Sequence, residues 1–290
     1  MKYEKQFTSP SLKLSFKEKR ELRFKKICSN FDKVMLSPLI CYQKINPKLF
    51  NSLLKAVTDY FNESKKYRLQ NKTPNGLLVP KQEIEDQFNS VVIAYRDILL
   101  SLNFPKIISL WSLPVVRYKD ALISPENKER PMRSELPHSD TWVGWDKNSI
   151  LINIPILGDT DGNRVNYFNH PNDMDETWIQ KQHSFEEGAK KFANKCTLIK
   201  PHYKKGYIYI ADISVIHQTH RDAGCKDRVS VEIPMYIDYP KKEDFGLKDA
   251  LSYNEIKSIG IDKKLKFPLK MGQIIGKTGA KRSIKFSLSN

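Results

Sequence analysis

Cysteine is scarce: four residues among 290, Cys28, Cys41, Cys196 and Cys225, with no C-x-x-C pair. A disulfide-stapled scaffold is excluded, and free thiols in a reducing cytoplasm are the expectation. No run of about 18 apolar residues exists, so no transmembrane helix is expected. The nearest candidate, 91–116, is broken by Arg96, Asp97, Pro105 and Lys106. Met1 to Ser11 is polar and lacks the apolar segment of a signal peptide. There is no internal repeat, and strands do not alternate with crossover helices, which argues against a parallel α/β sheet.

Positive charge, by contrast, is abundant. Lys and Arg number 49 against 33 Asp and Glu, a formal net charge of +16. Such an excess points to nucleic acid, a membrane surface or an anionic small molecule. Its distribution narrows the choice. Residues 1–30 hold nine basic and three acidic side chains, and residues 241–290 hold twelve and five. Thirteen of the sixteen units therefore lie in the terminal 80 residues, and the middle is nearly balanced. Chemistry is expected in the middle and charge-driven contacts at the ends.

The N-terminal third reads as a basic arm and a helical layer. Asn46-Pro47 is an N-cap followed by a first helical residue, and Leu49, Phe50, Leu53, Leu54, Val57, Tyr60 and Phe61 follow at helical spacing. Pro74-Asn75-Gly76 marks a turn. A second helix over 81–102 carries the stripe Ile84, Phe88, Val91, Tyr95, Ile98 and Leu102. After Pro105 the period becomes two, with β-rich runs at 107–118, 149–157, 196–201, 206–217 and 228–238. The expected fold is mainly β with a helical flank (α+β). It is one domain: arm and helices over 1–104, a β core over 105–240 and a basic extension over 241–290.

Three short segments carry chemistry. In His138-Ser139-Asp140 the two outer residues share one side of an extended chain, so an imidazole and a carboxylate can converge on one point. Gly206 to His217 is an apolar strand pair ending in a histidine. Arg228-Val229-Ser230-Val231-Glu232-Ile233 places Arg228 and Ser230 on one face and Val229, Val231 and Ile233 on the other. An arginine fork with a hydroxyl beside it suits a carboxylate. Two histidines and one carboxylate form the facial triad of non-haem Fe(II) oxygenases.

These elements resemble the Fe(II)/2-oxoglutarate-dependent dioxygenases, in the flavour of the phytanoyl-CoA-hydroxylase-like and streptomycin-biosynthesis-type branch. His138-Ser139-Asp140, the run Ser149–Leu157, Gly206–His217 and Arg228–Ile233 carry the resemblance, within residues 130–238. It implies a double-stranded β-helix, or cupin-like jelly roll. It implies Fe(II) on His138, Asp140 and His217, with dioxygen and 2-oxoglutarate as co-substrates, and Arg228 and Ser230 as the 2-oxoglutarate receptor. Asn153 could hydrogen-bond the oxo acid. His220 is the alternative third ligand; His217 is preferred because it ends the strand and leaves eleven residues to Arg228.

The reaction implied is hydroxylation of an unactivated C–H bond in a small or medium metabolite, anionic if the charge excess bears on it. Desaturation, cyclisation, epimerisation and hydroxylation of a protein or peptide use the same centre. Trp142, Trp145, Arg117, Lys119, Arg133 and Arg221 are candidates for substrate contact. The loop 119–133 and the insert 169–195, with Trp178 and Phe185, are candidate covers. Nucleic acid is disfavoured: nucleobase demethylases of this family carry a second arginine six residues after the first, and here that position is Pro234. Gly272 to Gly279 resembles a phosphate loop, but three residues separate Gly272 and Gly276 where four are needed, so a surface turn is expected.

Overall fold

Strands with both faces covered organise this chain. The computed structural model describes residues 14–66, 72–102, 108–123, 125–237, 250–267, 274–275, 283–284 and 286–290. In chain order the elements are α1 (Phe16–Ile27), β1 (Val34–Ser37), β2 (Ile40–Lys44), α2 (Pro47–Lys66), α3 (Glu85–Ser101), β3 (Ile108–Trp111), β4 (Val115–Lys119) and α4 (Pro125–Lys128). There follow β5 (Ile150–Gly158), β6 (Asn163–Asn169), α5 (Phe185–Lys191), β7 (Thr197–Leu198), β8 (Tyr207–Asp212), β9 (His217–Arg221) and β10 (Arg228–Ile237). The C-terminal part supplies α6 (Tyr253–Ser258), β11 (Lys264–Lys266), β12 (Ile274–Ile275), β13 (Ser283–Ile284) and β14 (Ser287–Ser289).

The large antiparallel sheet has the order β1-β2-β8-β5-β10-β3, and β4 also pairs with β10. A smaller sheet has the order β7-β6-β9 and is extended by a bridge between His138 and His217. From β4 onward the chain passes between the two sheets: β4 large, His138 small, β5 large, β6 and β7 small, β8 large, β9 small, β10 large. That winding is a double-stranded β-helix, the jelly-roll arrangement expected from the sequence.

Side-chain parity explains why it packs. Ile150, Ile152, Ile154 and Ile156 of β5, Ile208 and Ile210 of β8, and Val229, Val231, Ile233 and Met235 of β10 all belong to one buried core. α2 packs on β5 and α3 packs on α2, and Leu53, Val57, Tyr60, Phe88, Val91 and Ile98 of the two helices join the same core. Asn46 caps α2 through Lys48 N–H (2.9 Å). Full burial of one such side chain contributes about 1.5–3 kcal/mol, so the layer is held by many small terms.

The arm and the tail are partly consumed in docking. Ser15 and Glu18 form a capping box on α1. Arg20 of that helix donates Nε and Nη2 to the buried Asp212 Oδ1 at 3.0 and 2.5 Å. At the other end, Trp111 and Leu251 exchange backbone hydrogen bonds, and Asn89 of α3 binds the Leu265 backbone. Lys264 and Lys266 meet Asp86 and Glu85 at the start of α3.

Two expectations need correction. No strand was expected before residue 105, yet β1 and β2 form the edge of the large sheet beyond β8. The polar stretch 163–169 was passed over, but it is β6, whose alternate residues are buried. The phosphate-loop-like glycines Gly272, Gly276 and Gly279 lie outside the described residues, as does the arm before residue 14. Among the described residues no helix is long and apolar enough to cross a membrane.

Candidate active site

The site forms where the turn after residue 136 meets the start of β9. His138 and His217 exchange both backbone hydrogen bonds, each 2.9 Å. A hydrogen-bonded antiparallel pair sets side chains beside each other on one face, and the two imidazole centroids lie 4.4 Å apart. Ser139 fixes the turn: its hydroxyl donates to Ile213 O (3.1 Å) and accepts Thr141 N–H (3.3 Å). Asp140 follows on the same side, with Oδ1 3.9 Å from His138 Nε2. One ligand atom from each of His138, Asp140 and His217 lies within 4.8 Å of the others.

The donor chemistry fits a divalent metal. His138 Nδ1–H donates to Leu136 O (2.7 Å) and His217 Nδ1–H to Val215 O (3.1 Å). A carbonyl only accepts, so both rings carry the proton on Nδ1 and keep the Nε2 lone pair for a metal. Burial, reinforced by His217, pushes the His138 imidazole well below its ordinary value and keeps it neutral. Phe185 of α5 stacks on His138 at 4.1 Å and 18°, which locks the ring plane.

His217 opens β9 rather than ending a strand: β8 stops at Asp212 and a turn intervenes. Parity then separates the rival ligands. His217 and Thr219 line the cavity, whereas His220 points outward to Asp222 at 3.0 Å.

The cavity holds about 210 Å³ and lies between the sheets beside the triad. Its polar wall comes from β4 and β10. Arg117 and Lys119 of β4 and Glu232 of β10 line it, and so does Asn153 of β5. Arg228 and Ser230 lie just behind, in register with Lys119 and Arg117 respectively. Arg228 is fully buried, and its Nε, Nη1 and Nη2 have no hydrogen-bond partner among the described residues. Its guanidinium carbon sits 5.0 Å from the Tyr203 ring centroid. Ser230 Oγ donates to Glu232 Oε1 (3.0 Å), and Tyr203 O–H donates to Asn153 Oδ1.

Charges around the cavity are strongly coupled. Burial alone would raise the Glu232 carboxyl, but Arg117, Arg228 and Lys119 hold it down to about 2. Burial, then the neighbouring Arg117, pulls the Lys119 ammonium down to about 7. Lys119 Nζ donates to Ser134 Oγ (2.5 Å), and Thr219 Oγ1 meets the same hydroxyl (3.3 Å). Gly76 takes a φ of 82°, which lets the 73–76 turn lie against Tyr118. That turn brings Asn75 O to Arg117 Nη1 (2.7 Å).

Several expected substrate residues are elsewhere. Trp142 is fully buried in a satellite core with Trp178 and Phe192 and donates Nε1–H to Trp178 O (2.8 Å); it does not line the cavity. Arg133 turns to the Lys128 carbonyl; Arg221 shares the β9 face of His217 and Thr219 but is tied at the strand end by Asp120 O (2.8 Å) and Glu135 (3.1 Å). Arg117 and Trp145 do line it. Reasoning from motifs missed Glu232, Ser134, Thr219, Tyr167 and Asn75. The available signal was parity, since Glu232 lies two residues past Ser230 and Thr219 two past His217.

No protein-family model matches this chain, and no curated protein matches it. Among solved structures, AviO1 from Streptomyces viridochromogenes Tue57 is 11% identical, with 74% of this chain and 95% of that one covered and a TM-score of 0.46. The non-haem α-ketoglutarate-dependent epimerase SnoN from nogalamycin biosynthesis is 9% identical over 75% and 82%, with a TM-score of 0.41. The carbocyclase SnoK from the same biosynthesis is 7% identical over 81% and 91%, with a TM-score of 0.43. Overlap of that extent is a likeness of layout and carries no functional weight, so function is read from the site's own residues.

Proposed function

We propose that this protein is a non-haem Fe(II)/2-oxoglutarate-dependent oxygenase that hydroxylates an unactivated C–H bond of a small molecule. The observation that carries the reading is Arg228, a fully buried guanidinium with no hydrogen-bond partner among the described residues, on the strand that follows a two-histidine, one-carboxylate donor set. Glu232 acts on this guanidinium only through space, and buried donors left without hydrogen bonds are costly, so an anion that can accept them belongs there. The Arg228 fork suits the remote carboxylate of a 2-oxo diacid; the Ser230 hydroxyl, whose proton goes to Glu232, stands beside it, and Asn153 stands on the neighbouring strand.

His138, Asp140 and His217 would hold the iron, which together with 2-oxoglutarate and dioxygen supplies an oxidant strong enough for such a bond, leaving succinate and carbon dioxide. The chain's own part is positional. The Nδ1 hydrogen bonds keep both Nε2 atoms free for the metal, and Phe185 covers one face of the His138 ring. An anionic group on the substrate would meet Arg117, the cavity-lining arginine. Free thiols, with Cys28 and Cys41 buried, agree with a reducing compartment such as the cytoplasm.

The test is 2-oxoglutarate turnover read as succinate release, with Fe(II) and ascorbate supplied. Wild type should release succinate, while His138→Ala and Asp140→Ala should release none. Wild-type turnover by either variant would end the triad assignment.

A further inference from the structure

The cavity-lining ion pair between Arg117 and Glu232 has no part in the metal donor set, although Arg228 lies close enough to act on the Glu232 carboxylate. Arg117 Nε donates to Glu232 Oε2, and the two side chains keep 21% and 16% exposure toward the cavity. Each is oriented from behind: Arg117 Nη1 by Asn75 O (2.7 Å), and Glu232 Oε1 by Ser230 Oγ (3.0 Å). The register along β4 and β10 sets the pair between two unlike regions. Lys119, in register with Arg228, is at one end, with Ser134 and Thr219 joined to it by hydrogen bonds. Leu113, Leu151 and Trp145 lie toward the other, near Pro234.

We propose that the substrate is zwitterionic where it meets this pair: an α-amino acid with an apolar side chain, its carboxylate on Arg117 and its ammonium on Glu232. The inference rests on the oxygenase reading in one respect, that the co-substrate occupies Arg228. The reasoning is charge conservation in a buried place. A purely anionic occupant draws Arg117 from Glu232 and takes away that carboxylate's charged hydrogen-bond donor, leaving it the Ser230 hydroxyl and the fields of Arg228 and Lys119. A purely cationic one strands Arg117 in the same way. Either loss costs on the order of a hundredfold in affinity. A zwitterion replaces both contacts at once. An α-amino acid is the smallest group with a carboxylate and an ammonium on one carbon, and Leu113, Leu151 and Trp145 suit an apolar side chain next to it.

Calorimetry on the full-length protein, with and without Fe(II) and 2-oxoglutarate under anaerobic conditions, tests this. The probes are L-leucine, L-methionine and L-phenylalanine. The controls for leucine are 4-methylpentanoate, which lacks the ammonium, and 3-methylbutylamine, which lacks the carboxylate; the other two amino acids have their own matched pairs. At least one amino acid should bind roughly a hundredfold more tightly than both of its controls. Glu232→Gln should collapse that ratio, chiefly by weakening the amino acid. Should that variant fail to fold by its melting curve, Glu232→Asp, which keeps the charge but withdraws it by one methylene, should reduce the ratio. Equal affinity for an amino acid and its des-amino control, an unchanged ratio in the Glu232 variants, or no binding by any probe would overturn the assignment. Failure of the oxygenase reading is separate: wild type would not bind 2-oxoglutarate, whereas failure of this assignment leaves 2-oxoglutarate binding intact and the ratios measured in its presence near one.

Discussion

Replacing Arg228 by methionine should make the ligand-free protein more stable while removing its response to 2-oxoglutarate. The side chain is fully buried and its three nitrogens lack hydrogen-bond partners among the described residues; its compensation is the Tyr203 ring at 5.0 Å and the field of the Glu232 carboxylate. A buried charge whose donors lack hydrogen bonds costs several kcal/mol. The cation–π contact returns about 2 kcal/mol at most. Methionine fills a similar shape without charge, so a net gain of about 1–4 kcal/mol is expected in the absence of ligand. At roughly 2 °C per kcal/mol for a protein of this size, the melting temperature should rise by about 2–8 °C. The ligand acts in the opposite sense. At one hundred times its dissociation constant, 2-oxoglutarate should stabilise wild type by about 2.7 kcal/mol, or roughly 5 °C, and leave Arg228→Met unmoved. Thermal melts of both proteins, with and without 2-oxoglutarate, read all four states. A variant that melts below wild type without ligand, or one that keeps the ligand shift, would refute the idea that Arg228 waits for an anion.

Three further outcomes follow from the same geometry. His217→Ala should weaken anaerobic Co(II) binding by more than the roughly 10–100-fold that loss of an outer-shell partner costs, whereas His220→Ala should leave it unchanged; the opposite ranking would exchange the ligands. Lys119, depressed to about 7, binds no proton in the folded state between pH 7 and roughly 10.4, while the unfolded chain does. Stability should therefore rise with pH across that window, by up to about 1.4 kcal/mol per unit, relative to Lys119→Met; parallel urea-unfolding profiles for the two proteins would contradict this. A Cβ at Gly188 of α5 would overlap the buried Trp142 ring. Gly188→Ala should thus destabilise by about 1–3 kcal/mol, although helix propensity alone favours alanine by about 1 kcal/mol, so a raised melting temperature would show that the ring can yield.

Much of this was legible before any coordinates, because it depends on short-range periodicity. The stripe from Ile84 to Leu102 is a helical face that needs a core, and it found one in the large sheet. The alternation from Arg228 to Ile233 is a strand with unlike faces, and His138-Ser139-Asp140 is compact enough for one turn to hold. The expectation for Trp142 failed because sequence proximity to Asp140 says nothing about direction: the 3-10 turn Asp140–Val143 rotates the indole away into Trp178 and Phe192. β1 and β2 do not stand out in the sequence because strands of four and five residues carry too few alternations.

The sequence by itself determined the residue types that can bind iron and a carboxylate, and the faces on which most of them stand. Local backbone geometry dictates these, and it repeats every two or 3.6 residues. Only the tertiary structure decided which of them meet. His138 and His217 become neighbours through an antiparallel bridge across 79 positions of chain. Arg117 and Glu232 become an ion pair because β4 lies beside β10. Arg228 becomes a buried cation without a hydrogen-bond partner among the described residues because β10 sets it opposite Lys119 of β4 and over the Tyr203 ring. Such pairings depend on long-range contacts between segments, and no local pattern in the chain encodes the partner.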